Sequence, residues 1–202
     1  MNFFKQKNNK NTNKGFTIVE TLVALFIFSI AVISMMASIS KGIQGTAYSR
    51  EKIIAAYLAQ EGIEYVRNLR DDYVYKNADW SGFKTKLINS GCGNPTGCYF
   101  DDSNILFSSS SSSQMIDNLT FNPCSGVAGI CPPILFNEMN GKYGYLAGIN
   151  SGFTREINIK FPQDNSNSDA VMVTSTVFFT KQGNKSGVSF SENLLNLSQT
   201  SS

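Results

Sequence analysis

The sequence predicts an α+β protein: one long N-terminal helix, membrane-spanning in its first half, packed through its second half on a small antiparallel sheet. Three observations carry this expectation. From Phe16 to Ile39 the only ionisable side chain is Glu20, and the run exceeds the roughly 20 apolar residues a spanning helix needs. Beyond it, Ala55, Leu58, Ala59, Gly62, Val66 and Leu69 recur at three- and four-residue intervals, the spacing of one helix face. From Gly141 the chain turns to β-branched and aromatic segments separated by polar turns, the pattern of strands. A long helix followed by a run of strands is an α+β order.

Residues 1–15 are basic and rich in asparagine. Lys5, Lys7, Lys10 and Lys14 precede Gly15 with no acid among them. With these four of its 17 basic residues set aside, the chain holds 13 bases against 15 acids. That mildly acidic remainder argues against nucleic-acid binding by bulk charge. The lysines also place their side of the span in the cytoplasm, so residues beyond Ser40 are expected outside it. No proline occurs between Phe16 and Pro95. One helix is therefore expected over 16–70, with its spanning half at 16–39; a break near Gly42–Gly45 is the alternative. Glu64 and Arg67 lie three apart on its polar side, a spacing that favours an ion pair.

Residues 71–202 form the expected head, loop-rich over 71–140 and a sheet over 141–197. Trp80, Phe83 and Leu87 fit a short helix. The serine run Ser108–Ser113 reads as a mobile loop. Strands are expected at Tyr143–Ile149, Phe153–Phe161, Ala170–Thr180 and Val188–Leu197, with polar turns at Gln163–Asp169 and Gly183–Gly187. In the third of these strands Val171, Val173, Ser175 and Val177 alternate with Met172, Thr174, Thr176 and Phe178, which assigns the two sets to opposite faces.

Composition narrows the function. Histidine is absent, which excludes Ser-His-Asp and Cys-His catalysis and any His-ligated zinc. The sequence contains no Walker loop and no G-x-S-x-G elbow. Asp71-Asp72 and Asp101-Asp102 are adjacent carboxylates whose side chains diverge on a helix or strand, so they read as solvated surface. No enzyme activity, cofactor or metal is expected. Charged residues make up only 16% of the chain, a surface suited to an extracytoplasmic protein.

Glu20 decides among three readings of the N-terminal segment. A secretory signal peptide would be cut near Ala37-Ser38, but the apolar run is too long for its hydrophobic region. A plain signal anchor gives no reason for a carboxylate that costs about 2.5–3.5 kcal/mol in hydrocarbon. The third reading accounts for both. Lys14-Gly15-Phe16-Thr17-Ile18-Val19-Glu20-Thr21-Leu22 resembles the class III signal of type IV pilins and pseudopilins. The resemblance implies cleavage between Gly15 and Phe16 by a prepilin peptidase on the cytoplasmic face, followed by N-methylation of Phe16. Residues 1–15 would then be a removed leader, and Glu20 the fifth residue of the mature chain. The resemblance also implies that Glu20 pairs with the Phe16 ammonium of a neighbouring subunit. Such a pair would offset its burial only on assembly and so set subunit register.

Two further segments resemble the same family. Ala55-Ala56-Tyr57-Leu58-Ala59-Gln60-Glu61-Gly62-Ile63-Glu64 is similar to the helix of PilV-type minor pilins and of I-type minor pseudopilins of type II secretion. Thr154-Arg155-Glu156-Ile157, followed by a valine-rich strand, a glycine turn and a closing strand, is similar to their C-terminal half. Phe178-Phe179 stands where that family's strand usually carries tryptophan. The resemblance implies a structural minor subunit of a type IV pilus-like filament, single-pass in the membrane with an extracytoplasmic head. Its implied partners are the prepilin peptidase, other pilin subunits, the inner-membrane assembly machinery and, before assembly, membrane lipid; nothing points to nucleic acid. A type II secretion pseudopilin, a competence-type pilus subunit and a non-polymerising membrane-tethered binding module are the alternatives.

Four cysteines allow three pairings. Nearness favours Cys92–Cys98 and Cys124–Cys131, each closing a short loop, and an oxidising compartment would permit disulfides. Crossed pairing between the loops and a four-cysteine metal site remain the competing arrangements, although zinc knuckles prefer ligands two to four residues apart.

Overall fold

The computed structural model describes residues 15–77, 79–101, 119–125, 131–162, 168–181 and 183–196. The expected serine loop at 108–113 and most of the turn at 163–169 lie outside them. The chain divides into two units, Met1–Ala47 and Tyr48–Ser202.

Helix α1 runs from Ile18 to Asn77. It passes Gly42 and Gly45 without a break, so the two-helix alternative does not hold. In the first unit the hydroxyls of Ser29, Ser34 and Ser38 donate to the carbonyls of Leu25, Ile30 and Ser34, 2.7–3.0 Å away. These side chains thus carry no unsatisfied donor into an apolar surrounding.

In the second unit Ala55, Leu58, Ala59, Gly62, Val66 and Leu69 are all buried, as core packing of the stripe requires. The helix continues eight residues beyond Leu69, a correction to the expected end at 70. Tyr73 and Val74 extend the apolar face and pack against the core, which outweighs the polar Asp71-Asp72 pair. Helix α2, Trp80–Asn89, follows at once. The Asp79 carboxylate caps it, accepting from the Gly82 amide at 2.7 Å. Trp80, Phe83 and Leu87 are buried, as their spacing predicts.

Among the described residues the sheet has seven antiparallel strands: β1 Cys98–Asp101, β2 Thr120–Pro123, β3 Pro133–Asn137, β4 Lys142–Gly144, β5 Ile149–Lys160, β6 Ala170–Lys181 and β7 Asn184–Leu195. The sheet therefore begins well before residue 141. The span 71–140 supplies the end of α1, all of α2 and three strands. Strands β1 and β2 are four residues long, too short to show a period, and gain their order by pairing with each other and with β5. The expected strand at 143–149 is also corrected. It shrinks to β4, and the chain bends back to start β5 at Ile149. Gly148, at φ +140°, allows this bend, because a Cβ there would stand 2.4 Å from the Phe136 carbonyl oxygen.

Strand β5 organises the sheet. One edge pairs with β6 from Phe153↔Phe179 to Lys160↔Met172. The other edge is divided: Ile149, Asn150 and Thr154 face β3, and Ile157 faces Cys98 of β1. Strand β7 pairs with β6 in unbroken register from Ala170↔Leu195 to Lys181↔Asn184. It starts earlier than expected, since the turn sits at Gly183 (φ +81°). Val171, Val173, Ser175, Val177 and Phe179 point inward, so the predicted alternation sets the face that meets α1. Val66, Leu69, Phe83, Phe100, Ile157 and Val173 fill one end of the core, and Ala55, Leu58, Ile134, Phe153 and Val177 the other. Burying such a side chain contributes about 1.5–3 kcal/mol.

Candidate functional site

The N-terminal segment is built from the start of α1. Gly15, Phe16 and Thr17 precede its first turn, and Phe16 is 81% exposed. A Cβ on Gly15 would meet nothing within 4 Å. The chain's own fold therefore does not require glycine there. The Thr17 hydroxyl accepts from the Glu20 amide at 3.3 Å, and the Thr21 amide donates to the Thr17 carbonyl at 3.2 Å. Thr17 is thus the N-cap and Glu20 sits at the third helical position, the spacing of a capping box. Sequence reading assigned Glu20 to assembly alone; the Thr-x-x-Glu spacing was the available sign of its local role. Glu20 also lies in the first turn, where a negative charge complements the helix dipole. From Phe16 to Ile39 every side chain is exposed, an apolar surface that the described chain does not cover.

The four cysteines form two bonds between sequence neighbours rather than one thiolate cluster. Cys92 is bonded to Cys98, and Cys124 to Cys131. All four are buried. Bonded in this way, they offer no set of four thiolates to a metal. The first bond ties the end of α2 to β1. The second joins the end of β2 to the start of β3, across the point where the edge of β5 is divided. The Cys124 amide donates to the Gly97 carbonyl at 3.1 Å, so the two staples are adjacent in the fold. Gly93, Asn94 and Pro95 stand exposed at the tip of the first loop. Of the carboxylate pairs, Asp71 is bridged by Arg70 at 2.7 Å, and Asp102 lies outside the described residues.

A charged node that sequence reading missed fastens α1 to the sheet. Arg155 of β5 is 3% exposed. Its guanidinium donates to the Glu61 carboxylate at 2.7 Å and to the Leu58 carbonyl at 3.2 Å. It also lies over the Phe100 ring, 3.9 Å from the centroid, a favourable cation–π placement. Room for it comes from Gly62, where a Cβ would stand 3.3 Å from Arg155 Cδ and 2.4 Å from Ser175 Oγ. Burial pushes the Tyr145 phenol above its ordinary value, with the nearby Arg155 charge opposing the shift. On the polar side of α1, Arg67 bridges Glu64, as its spacing predicts, and also Glu192 of β7. Hydrogen bonds to Glu192 are the leading cause of its raised pKa.

Residues 10–36 match the family model of the prokaryotic N-terminal methylation motif. This span contains Lys14, Gly15, Phe16, Thr17 and Glu20, the residues that surround the start of α1. This part of the chain is similar to the N-terminal segment of type IV pilins and pseudopilins. Over 55 residues it is 40% identical to the type II secretion system protein I of Vibrio cholerae serotype O1 (strain ATCC 39315 / El Tor Inaba N16961). That match covers 27% of this chain and 47% of the relative, so the chain spans about half the length of the protein it matches. No solved structure matches it significantly. The pseudopilin relationship and this helix suggest membrane anchoring with the head outside the cytoplasm.

Proposed function

We propose that this chain is a structural minor pilin or pseudopilin subunit, cut between Gly15 and Phe16 by the prepilin peptidase and N-methylated on Phe16. The leader is residues 1–15, the assembly helix follows from Phe16 and runs on to Asn77 with its spanning half at 16–39, and the remainder of the chain is the head. One observation carries the reading. Residues 10–36 match the methylation motif, and they run into a helix whose apolar surface the described residues leave uncovered. Membrane lipid would cover that surface before assembly, and the helices of other subunits after it. Delivery into the filament falls to the inner-membrane assembly machinery. Glu20 of one subunit would pair with the Phe16 ammonium of the next, in a setting where an unpaired charge is costly. The disulfides Cys92–Cys98 and Cys124–Cys131 would stabilise the head outside the cytoplasm, where they persist.

Mass spectrometry of the mature N-terminal peptide from the native host tests this reading. A peptide beginning at N-methylated Phe16 supports it; an intact Met1 leader, or an N-terminus near Ser40, refutes it. The match to a type II secretion protein favours a second reading, a secretion pseudopilin. Loss of secreted proteins from the medium on deletion of the chain, with surface pili intact, would select it.

A further inference from the structure

We propose that the outer edge of β7 binds an extended, basic segment of another protein, which adds to the sheet as a further strand and lays alternate side chains in the groove between β7 and α1. The inference rests on the sheet and this groove alone, and stands apart from the filament reading.

Strand β7 pairs with β6 along one edge, and no described strand pairs with the other. An open edge offers its N–H and C=O groups to any extended chain, and folded proteins ordinarily blunt it with short length, proline, a bulge or charge. The opposite margin of this sheet is blunted in that way: β4 has three residues, and β2 has four and ends in Pro123. Strand β7 has twelve residues, no proline and an unbroken register. From Ser186 to Ser191 it carries no charge. Such an edge is shaped for strand addition, in which main-chain hydrogen bonds supply affinity and pockets for alternate side chains supply specificity.

The two faces of β7 define the side chains of that segment. On the outer face the Ser189 and Ser191 hydroxyls lie 2.8 and 2.9 Å from those of Thr176 and Thr174. Both serines are exposed, and a threonine opposite them would extend these rows. On the inner face Val188 and Phe190 are half-buried. Phe190 borders a groove of about 550 Å³ to which Tyr57 and Ile63 also give apolar surface, and an aromatic ring favours a β-branched residue opposite it. The groove is lined by the carboxylates of Glu61, Glu64 and Glu192 and by the Arg67 guanidinium. With the Arg155 guanidinium bonded to Glu61, two cations stand against three anions. The surplus negative charge favours a base opposite Glu192, next to Glu64, which shares Arg67 with it and is 54% exposed. A second copy joined edge to edge would set this acidic groove beside a like-charged one, a costly juxtaposition. A basic strand from a different protein is the better fit.

The test is amide exchange of the full-length, detergent-solubilised chain with a synthetic peptide, acetyl-Thr-Lys-Thr-Val-Thr-Val-Thr-amide, and with the same peptide carrying glutamate for lysine. Its lysine and two valines are spaced to meet Glu192, Phe190 and Val188 in antiparallel pairing. The lysine peptide should slow exchange in β7 and leave β2 and β4 unchanged. It should bind roughly two- to fivefold more tightly than the glutamate peptide, the modest factor that a partly exposed charge pair contributes. Glu64→Lys should reverse this preference and Glu64→Gln should narrow it, with native exchange in β6 showing that each variant is folded. No slowing in β7, equal binding of the two peptides, or protection of β2 or β4 instead overturns the inference. Slowing in β7 that rises with protein concentration in the absence of peptide makes a second copy the occupant and also overturns it. None of these outcomes bears on N-methylation of Phe16, and an unmethylated Phe16 would leave the strand addition standing.

Discussion

Arg155 and Glu61, 94 positions apart in the sequence, meet beneath α1 at 2.7 Å with unequal burial: the arginine side chain is 4% exposed and the glutamate 40%. Glu61→Ala would leave a buried guanidinium without its counter-charge, whereas Arg155→Met would leave a carboxylate that water can solvate. Breaking a fully buried pair costs about 3–5 kcal/mol, and the exposure of Glu61 lowers this to roughly 2 kcal/mol for Glu61→Ala. Arg155→Met should cost less. Urea unfolding of the detergent-solubilised protein reads both, and an equal or reversed order would contradict the unequal burial.

Gly62 and Ser175 form a second close contact. A methyl group on Gly62 would fall 2.4 Å from Ser175 Oγ and 3.1 Å from its Cβ. Gly62→Ala should therefore destabilise by about 1–3 kcal/mol through overpacking. Ser175 Oγ is buried with no hydrogen-bond partner among the described residues, so Ser175→Ala alone should be neutral or slightly stabilising. Combined with Gly62→Ala it should recover part of the loss, a coupling measurable as a double-mutant cycle.

Tyr145 makes stability depend on alkaline pH. Burial raises its phenol above the ordinary value of 10.0, against the opposing Arg155 charge. The folded state thus favours the protonated phenol, and its contribution is fully present below pH 10. That contribution is lost as pH rises from there through the raised folded value. The difference in urea midpoint between the native chain and Tyr145→Phe should be constant up to pH 10 and shift above it in favour of the variant. A flat difference to pH 11.5 would rule out the effect.

The cysteine pairs close loops with sequence separations of 6 and 7. Loop-closure entropy at this length corresponds to about 2 kcal/mol for each bond. Replacing Cys124 and Cys131 together by serine should lower stability by that amount and increase amide exchange in β2 and β3 before β6. Unchanged protection of β2 and β3 would show that strand pairing alone holds the divided edge.

The capping position of Glu20 and its proposed assembly role can be separated by one substitution. Glu20→Gln retains a side chain able to complete a capping box but loses the charge that the proposed pair with the Phe16 ammonium requires. We expect Glu20→Ala and Glu20→Gln to insert at least as well as the native chain and both to fall in sheared filaments. If the glutamine variant assembles normally, capping rather than ion pairing explains the residue.

Periodicity made α1, α2, β6 and the inward face of the sheet legible. Ala55 to Leu69 and Val171 to Val177 repeat often enough to show which side is buried. The N-terminal methylation motif was legible because its residues lie close together, within the seven from Lys14 to Glu20. The head between 71 and 140 was not, because β1 and β2 are ordered by their partners rather than by their own composition. Nor could the sequence show why residue 62 is glycine. That requirement comes from Ser175 and Arg155, which only the folded sheet brings to it. The helix end was misplaced for a related reason: Asp71-Asp72 reads as a stop, but Tyr73 and Val74 resume the buried face.

Neither disulfide includes a residue of α1. The sheet and α2 are closed by covalent bonds, whereas the side chains of the helix meet the sheet through non-covalent contacts, among them the apolar stripe, the Arg155 bonds to Glu61 and Leu58, and the pair of Arg67 with Glu192. Tension along α1 would load these contacts first, and the backbone that runs on into α2 would take it up once they part. The helix would then peel from the sheet while the two disulfides keep the loops of the sheet closed, leaving a surface the helix can rejoin.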